Sequence, residues 1–332
     1  MTLSVDEQLF HFVDDLEKAV GYNVQIDGEF DDILMCGMGG SAISSDIVAA
    51  LCYPVSNIPI RVIKYPMLPK WAGEKTLVIC SSYSGNTQET ISVYEKALAQ
   101  RCHVIVITAG GKLREKSGND DVPCIELPDN MHPRHSIGYM IGYTLAVVRA
   151  AGGPDLSNDI LDCIPSLRDY RDKVCNPGAG RAWEMAQSFK DKLPIILSDE
   201  LMKPIALRWK TQINENAKNV AFNNEMQEFN TCAIDAWKKV QNINCSLLIL
   251  QDNTGNPDGS IMKLHRENCL FGMECFDSDS RTENMFRALI LGDYISMYVA
   301  KMRGIGAGDV PPITFLKGLL KERLHTEIWC LE

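Results

Sequence analysis

Residues 76–90 read TLVICSSYSGNTQET. The run TLVIC has the length and apolar content of a strand buried on both faces, and QETISVYEKALAQ, from Gln88, has the spacing of a helix. Between them, Ser81-Ser82-Tyr83-Ser84-Gly85-Asn86-Thr87 sets three serines, an asparagine and a threonine around one glycine. Strand, tight turn and helix in that order make half of a βαβ unit, and the flanking sequence repeats the pattern. Upstream, DILMC (32–36) is a short apolar strand, a glycine-rich turn follows, SSDIVAALC (44–52) is a helix and IPIRVI (58–63) a strand. Downstream, HVIVIT (103–108) and VPCIEL (122–127) are strands. SIGYMIGYTLAVVRAAGG (136–153) is an apolar helix closed by two glycines. Short apolar strands alternating with helices predict an α/β fold: a doubly wound, flavodoxin-like parallel sheet covered on both faces.

The chain has 332 residues, enough for two domains of roughly 100–200 residues each. Gly152-Gly153-Pro154 is the natural break, giving units 1–152 and 153–332. Before the first strand, Leu9, Phe10, Phe12, Val13, Leu16 and Val20 fall at helical spacing and predict one leading helix. The second half is more helical (156–174, 204–221 and 282–302), with strand candidates LPIILS (193–198) and CSLLILQD (245–252).

An apolar fraction of 45% and a charged fraction of 23% exclude disorder, collagen and coiled coil as the main character. No stretch approaches the roughly 18 apolar residues of a membrane span, and acids stand where a signal peptide would carry basic residues. The 12 cysteines are scattered without C-x-x-C spacing, as expected of small core residues in a reducing, cytoplasmic compartment. A net charge of −10 without a basic block excludes nucleic acid as the natural partner. It leaves a small anion open, because backbone N–H groups and a few cations can reverse the field locally.

Two turns can hold such an anion. In Cys36-Gly37-Met38-Gly39-Gly40-Ser41-Ala42, the glycines admit close backbone approach at a helix start. Packing of a tight turn alone explains this segment, and it also satisfies the dinucleotide pattern G-x-G-x-x-A. No acid for a ribose follows at 55–65, although Arg61 or Lys64 would tolerate a 2′-phosphate. A nicotinamide-dependent oxidoreductase is therefore the weaker alternative. In the Ser81–Thr87 turn, Asn86 or Thr87 can cap the next helix, with Glu89 completing a capping box. Capping uses at most two of these side chains, and the remaining hydroxyls suit a phosphate. Both turns follow strands of one sheet and meet at its C-terminal edge, where open α/β sheets bind ligands.

GMGGSAISSDI, SSYSGNTQET and HPRHSIGYM together resemble the sugar isomerase (SIS) superfamily, and within it the bifunctional phosphoglucose/phosphomannose isomerases, from about residue 30 to the C-terminus. The resemblance implies two SIS subdomains, each with a five-stranded parallel sheet, in a homodimer without cofactor or metal. It implies aldose–ketose isomerisation of a hexose phosphate. Gly40, Ser41, Ser82, Ser84 and Thr87 would surround the sugar phosphate, and Arg134 would sit at the reacting end. Glu215, in Asn214-Glu215-Asn216-Ala217-Lys218, matches the family's catalytic base, and Lys317 its C-terminal active-site lysine. That chemistry moves a proton between C1 and C2 through a cis-enediol, which one carboxylate can do with a cation beside the enediolate.

The sequence departs from the family at one place. Where the family carries the histidine that opens the sugar ring, this chain has Thr231, within Glu228-Phe229-Asn230-Thr231-Cys232. A threonine hydroxyl does not titrate near neutral pH. His135 or His265 can substitute, the substrate can be another or an already open phosphosugar, or the protein can be a non-catalytic sugar-phosphate sensor. Epimer specificity is not legible.

Overall fold

The protein is described by a computed structural model that covers residues 4–233, 244–252 and 271–307. The leading apolar stretch forms two helices, α1 (Val5–Phe10) and α2 (Phe12–Val20), and not one. The break falls at His11, whose φ/ψ of −80°/0° ends α1 and starts α2. Ser4 and Glu7 close a capping box on α1.

The first sheet contains β1 (Asp32–Cys36), β2 (Ile60–Ile63), β3 (Thr76–Ser81), β4 (His103–Thr108) and β5 (Cys124–Glu126). Its order is β2-β1-β3-β4-β5, with every pair parallel. All six residues of β3 are buried, as the apolar run predicted for a strand covered on both faces. The covering helices are α3 (Gly40–Cys52), α4 (Gln88–Ala99), α5 (Gly111–Asn119) and α6 (Ile137–Ala150). Gly152 and Gly153 end α6 as expected: Gly152 adopts φ +83° and their N–H groups return to Arg149 and Val148 carbonyls.

Beyond α7 (Ser157–Val174) and α8 (Arg181–Phe189) lie β6 (Leu193–Ser198), α9 (Lys203–Ala217) and β7 (Phe222–Glu225). A short helix α10 (Met226–Glu228) runs into a π-helical turn, Phe229–Ala233, and β8 (Cys245–Asp252), β9 (Phe271–Phe276) and α11 (Arg281–Met302) follow. The second sheet has four strands among the described residues, ordered β7-β6-β8-β9 and all parallel. The polar FNNE of β7 gave no strand signal in the sequence.

In both sheets the order reverses beside the first strand of the unit, between β1 and β3 and between β6 and β8. A doubly wound sheet opens a crevice at that point, outside the strand C-termini. α11 is buried on nearly all sides and packs on α7, α8 and α9, while α9 also meets α3. One apolar core therefore runs from Leu9 to Ala300 through both halves. Cys36, Cys52, Cys80, Cys102 and Cys163 are buried free thiols, and Cys124, Cys175, Cys232 and Cys245 are free thiols nearer the surface. No helix among the described residues is long and apolar enough to cross a membrane.

Candidate active site

The crevice between β1 and β3 is set by register: Cys36 pairs with Cys80, so the two turns leave the sheet side by side. α3 begins at Gly40 behind Gly39, at φ +55°, and α4 begins behind Thr87, and neither has a side-chain cap. The expected capping by Asn86 or Thr87 does not occur. Thr87 is at the cap position, but its hydroxyl accepts a 3.0 Å hydrogen bond from Ser82 Oγ. Asn86 serves the neighbouring turn, accepting from Lys112 N–H at 3.2 Å and donating to the Ser84 carbonyl at 2.9 Å.

Gly85 makes that docking possible. It sits at φ +61°, and a Cβ there would lie 1.7 Å from the Gly110 carbonyl oxygen. With Asn86 drawn away, two helix N-termini without side-chain caps stand beside the hydroxyls of Ser41, Ser82, Ser84 and Thr87. Ser41 and Ser82 are buried and Ser84 is exposed. Positive helix ends and hydroxyls together suit a dianion. Of the cations that a 2′-phosphate would need, Lys64 is paired with Asp46 at 2.5 Å and Arg61 lies over Trp71.

The loop before α6 closes over the first turn. Tyr83 ties it down: its hydroxyl donates to the Pro128 carbonyl and accepts from Met131 N–H, both at 2.8 Å. A Cβ on Gly40 would lie 3.5 Å from the Pro133 carbonyl oxygen and 3.8 Å from Arg134 Cα, so Arg134 stands directly over the α3 N-terminus.

The Arg134 side chain is nearly buried, and its Nη1 lies 3.2 Å from Oε2 of half-buried Glu215. The pair is not aligned as a hydrogen bond, and Nη1 has no other acceptor. Nη2 donates to the Ala307 carbonyl at 3.0 Å. Residues 81 positions apart thus meet, because α9 carries Glu215 in its last turn across α3. Lys218, in the left-handed region at φ +49°, ends α9 and folds its ammonium back on the Glu215 carbonyl.

Beneath the loop lies a pair that sequence reading missed. Arg208 and Asp293, each 1% exposed, meet in a fork of 2.9 and 2.6 Å, and Arg208 Nη2 also donates to the Arg134 carbonyl at 3.1 Å. Burial raises the Asp293 carboxyl pKa, while the guanidinium beside it works the other way. An aspartate inside the apolar run LILGDYISM was the available signal.

The other expected residues are dispersed. His135 is sealed in the core, with neither ring nitrogen hydrogen-bonded and its pKa pushed well down by burial. Thr231 is exposed and donates to the Gln227 carbonyl one helical turn back, at 2.8 Å. Lys317 and His265 lie outside the described residues. His132 was not singled out in the sequence, yet it lies against Arg134, with Nδ1 3.5 Å from Nε and Nε2 3.4 Å from Nη2. Burial, then the charges of Arg134 and Lys218, lower its pKa to about 4, so it is neutral at physiological pH.

Comparison with known proteins agrees with this architecture. Residues 179–320 match the family described as bacterial phospho-glucose isomerase C-terminal SIS domain. A bifunctional phosphoglucose/phosphomannose isomerase of Caldicellulosiruptor bescii is 30% identical over 95% of this chain and 98% of its own. One from Thermoplasma volcanium is 30% identical over 87% and 91%. Among solved structures, tagatose-6-phosphate ketose/aldose isomerase from Escherichia coli superposes with a TM-score of 0.71 at 15% identity, covering 91% of this chain and 94% of that one, a likeness of fold. Similarity of this extent to the Caldicellulosiruptor protein, over nearly the whole of both chains, means that the chain belongs to the bifunctional phosphoglucose/phosphomannose isomerase family.

Proposed function

We propose that this protein interconverts aldose and ketose hexose 6-phosphates, glucose 6-phosphate and/or mannose 6-phosphate with fructose 6-phosphate, through a cis-enediol. One observation carries the reading. Arg134 Nη1, a buried donor without a hydrogen bond, faces the Glu215 carboxylate directly over the uncapped start of α3. The phosphate binds the Gly40 and Ser41 end of α3 and the hydroxyls of Ser82, Ser84 and Thr87. Unit 1–152 supplies this grip, and unit 153–332 supplies the base.

Glu215 takes the proton from C2 of the aldose as O1 gains negative charge, the O2 hydroxyl proton passes to O1 of the enediolate, and Glu215 returns its proton to C1 as C2=O2 forms. Arg134 stabilises the enediolate between the two transfers, with Lys317 as a second cation. No hydride moves and nothing is oxidised overall, so the step calls for no cofactor. The same reading places the enzyme in the cytoplasm as a homodimer. The exposed side chains of Tyr53, Val55, Tyr65 and Met67 supply apolar surface for a second copy, which light scattering in solution checks.

The test uses glucose 6-phosphate and mannose 6-phosphate in deuterated water, followed by NMR. Fructose 6-phosphate should appear with deuterium at the transferred position. Glu215→Gln should slow turnover about 1,000-fold while phosphosugar affinity stays within about threefold. Binding of fructose 6-phosphate by the wild type without any product over long incubation would instead establish a sugar-phosphate sensor, and normal turnover by Glu215→Gln would remove Glu215 as the base.

A further inference from the structure

Hexose 6-phosphates are almost entirely cyclic in water, so the isomerisation proposed above needs a group that opens the ring before Glu215 can act. That group must take a proton from O1 and deliver one to O5. Glu215 and Arg134 do not fill this role, since one is held for the C1–C2 transfer and the other stays charged. Thr231 Oγ has committed its proton to the Gln227 carbonyl. His135 is 2% exposed, too deep to meet a sugar without rearrangement of the core.

From the geometry we infer that His132 is the ring-opening acid–base of this enzyme. The inference rests on the isomerase reading and adds a catalytic residue to it. His132 lies along the same guanidinium that faces Glu215: Nη1 is turned to the carboxylate, and Nη2 and Nε to the imidazole. Base and imidazole are thus separated by the width of one guanidinium, a spacing that suits groups acting on neighbouring atoms of one sugar. The loop is anchored on both sides, by Tyr83 at Met131 and by Gln8, whose Oε1 accepts from His132 N–H at 2.7 Å.

Nδ1 of His132 accepts from the Arg134 backbone N–H and from Nε, both at 3.5 Å, and Nε2 lies 3.4 Å from Nη2; all three contacts lie at the long limit of hydrogen bonding, so a ligand can replace them at little cost. Being neutral, it can accept the O1 proton. The imidazolium then gives a proton to O5 as the C1–O5 bond breaks and C1=O1 forms, so His132 ends in its starting state. The positive charge that appears beside Arg134 is transient, and burial with that cation drives the proton on to O5.

Two substrates and one exchange measurement test this. D-Erythrose 4-phosphate undergoes the same aldose–ketose step but cannot close a ring, because its O4 carries the phosphate. His132→Asn should lower turnover of glucose 6-phosphate about 100-fold and leave that of erythrose 4-phosphate within about threefold. His132→Gln, which keeps a hydrogen-bonding amide but no proton relay, should do the same. Exchange NMR of the α and β anomers of glucose 6-phosphate reads ring opening alone. The wild type and Glu215→Gln should accelerate it, and both His132 variants should not. Equal losses on both sugars would make His132 a prop for Arg134 and overturn the inference, as would unchanged rates on glucose 6-phosphate. A wild type that speeds anomerisation but isomerises neither sugar would overturn the isomerase reading and uphold His132, whereas no anomerisation by the wild type would remove His132 from that role.

Discussion

The two sheets open the same kind of crevice and line it in opposite ways. At the mouth of the first, between β1 and β3, stand hydroxyls and two uncapped helix starts. At the mouth of the second, between β6 and β8, stand two carboxylates already in use. Asp199 accepts from Met202 N–H at 2.8 Å at the start of α9, and its pKa is raised first by burial, with the charge of Asp252 adding to that. Asp252, 5% exposed, takes Arg281 Nε at 3.0 Å and Asn284 Nδ2 at 2.7 Å. An anion gains donors at the first mouth and meets acids at the second. Topology supplies a crevice twice, and the side chains at the strand ends decide that one is lined with donors while the other locks its helices together.

The sharpest way to break this comparison acts on what joins the halves. Arg208→Met leaves Asp293 buried without its ion-pair partner and the Arg134 carbonyl without its donor. Thermal denaturation should show a loss of about 3–5 kcal/mol, with turnover falling as well. The double variant Arg208→Met/Asp293→Leu should recover much of the stability but not the turnover, because an apolar pair restores packing without holding Arg134. Equal recovery of both would mean that the pair does not position Arg134.

A second variant makes the first mouth resemble the second. Ser84→Asp places a carboxylate on the exposed rim, where it should fold normally and weaken phosphosugar binding about 100-fold by like-charge repulsion, measured by calorimetry. Unchanged affinity would put the phosphate elsewhere. The smallest effect belongs to the second mouth itself. Asp252→Asn removes a charged partner of Arg281 and should cost about 1–2 kcal/mol of stability, while KM for glucose 6-phosphate stays within about twofold. A large change in KM would show that the second crevice also meets the sugar.

The first sheet was legible strand by strand, since each apolar run between turns reports its own conformation. The polar FNNE of β7 carries no such pattern: it pairs with β6 as an edge strand, through backbone hydrogen bonds that any residues supply. The hydroxyl-rich turn between strand and helix was legible, but the allocation of its side chains was not. Thr87 and Asn86 read as caps for α4, and the close approach of Gly85 to Gly110 sent Asn86 to α5 instead.

Composition, strand period and turn chemistry by themselves determined an α/β chain with a parallel sheet and a hydroxyl-rich turn at a helix start, because those signals lie within a few residues of one another. Which charged groups meet was decided only by the tertiary structure. Arg134 reaches Glu215, rests its carbonyl on Arg208 and lies along His132, while the histidine next to it in sequence, His135, turns into the core. Adjacent residues on a turn point to different sides, and residues far apart in sequence are joined by helix packing. Neither relation is written in local pattern.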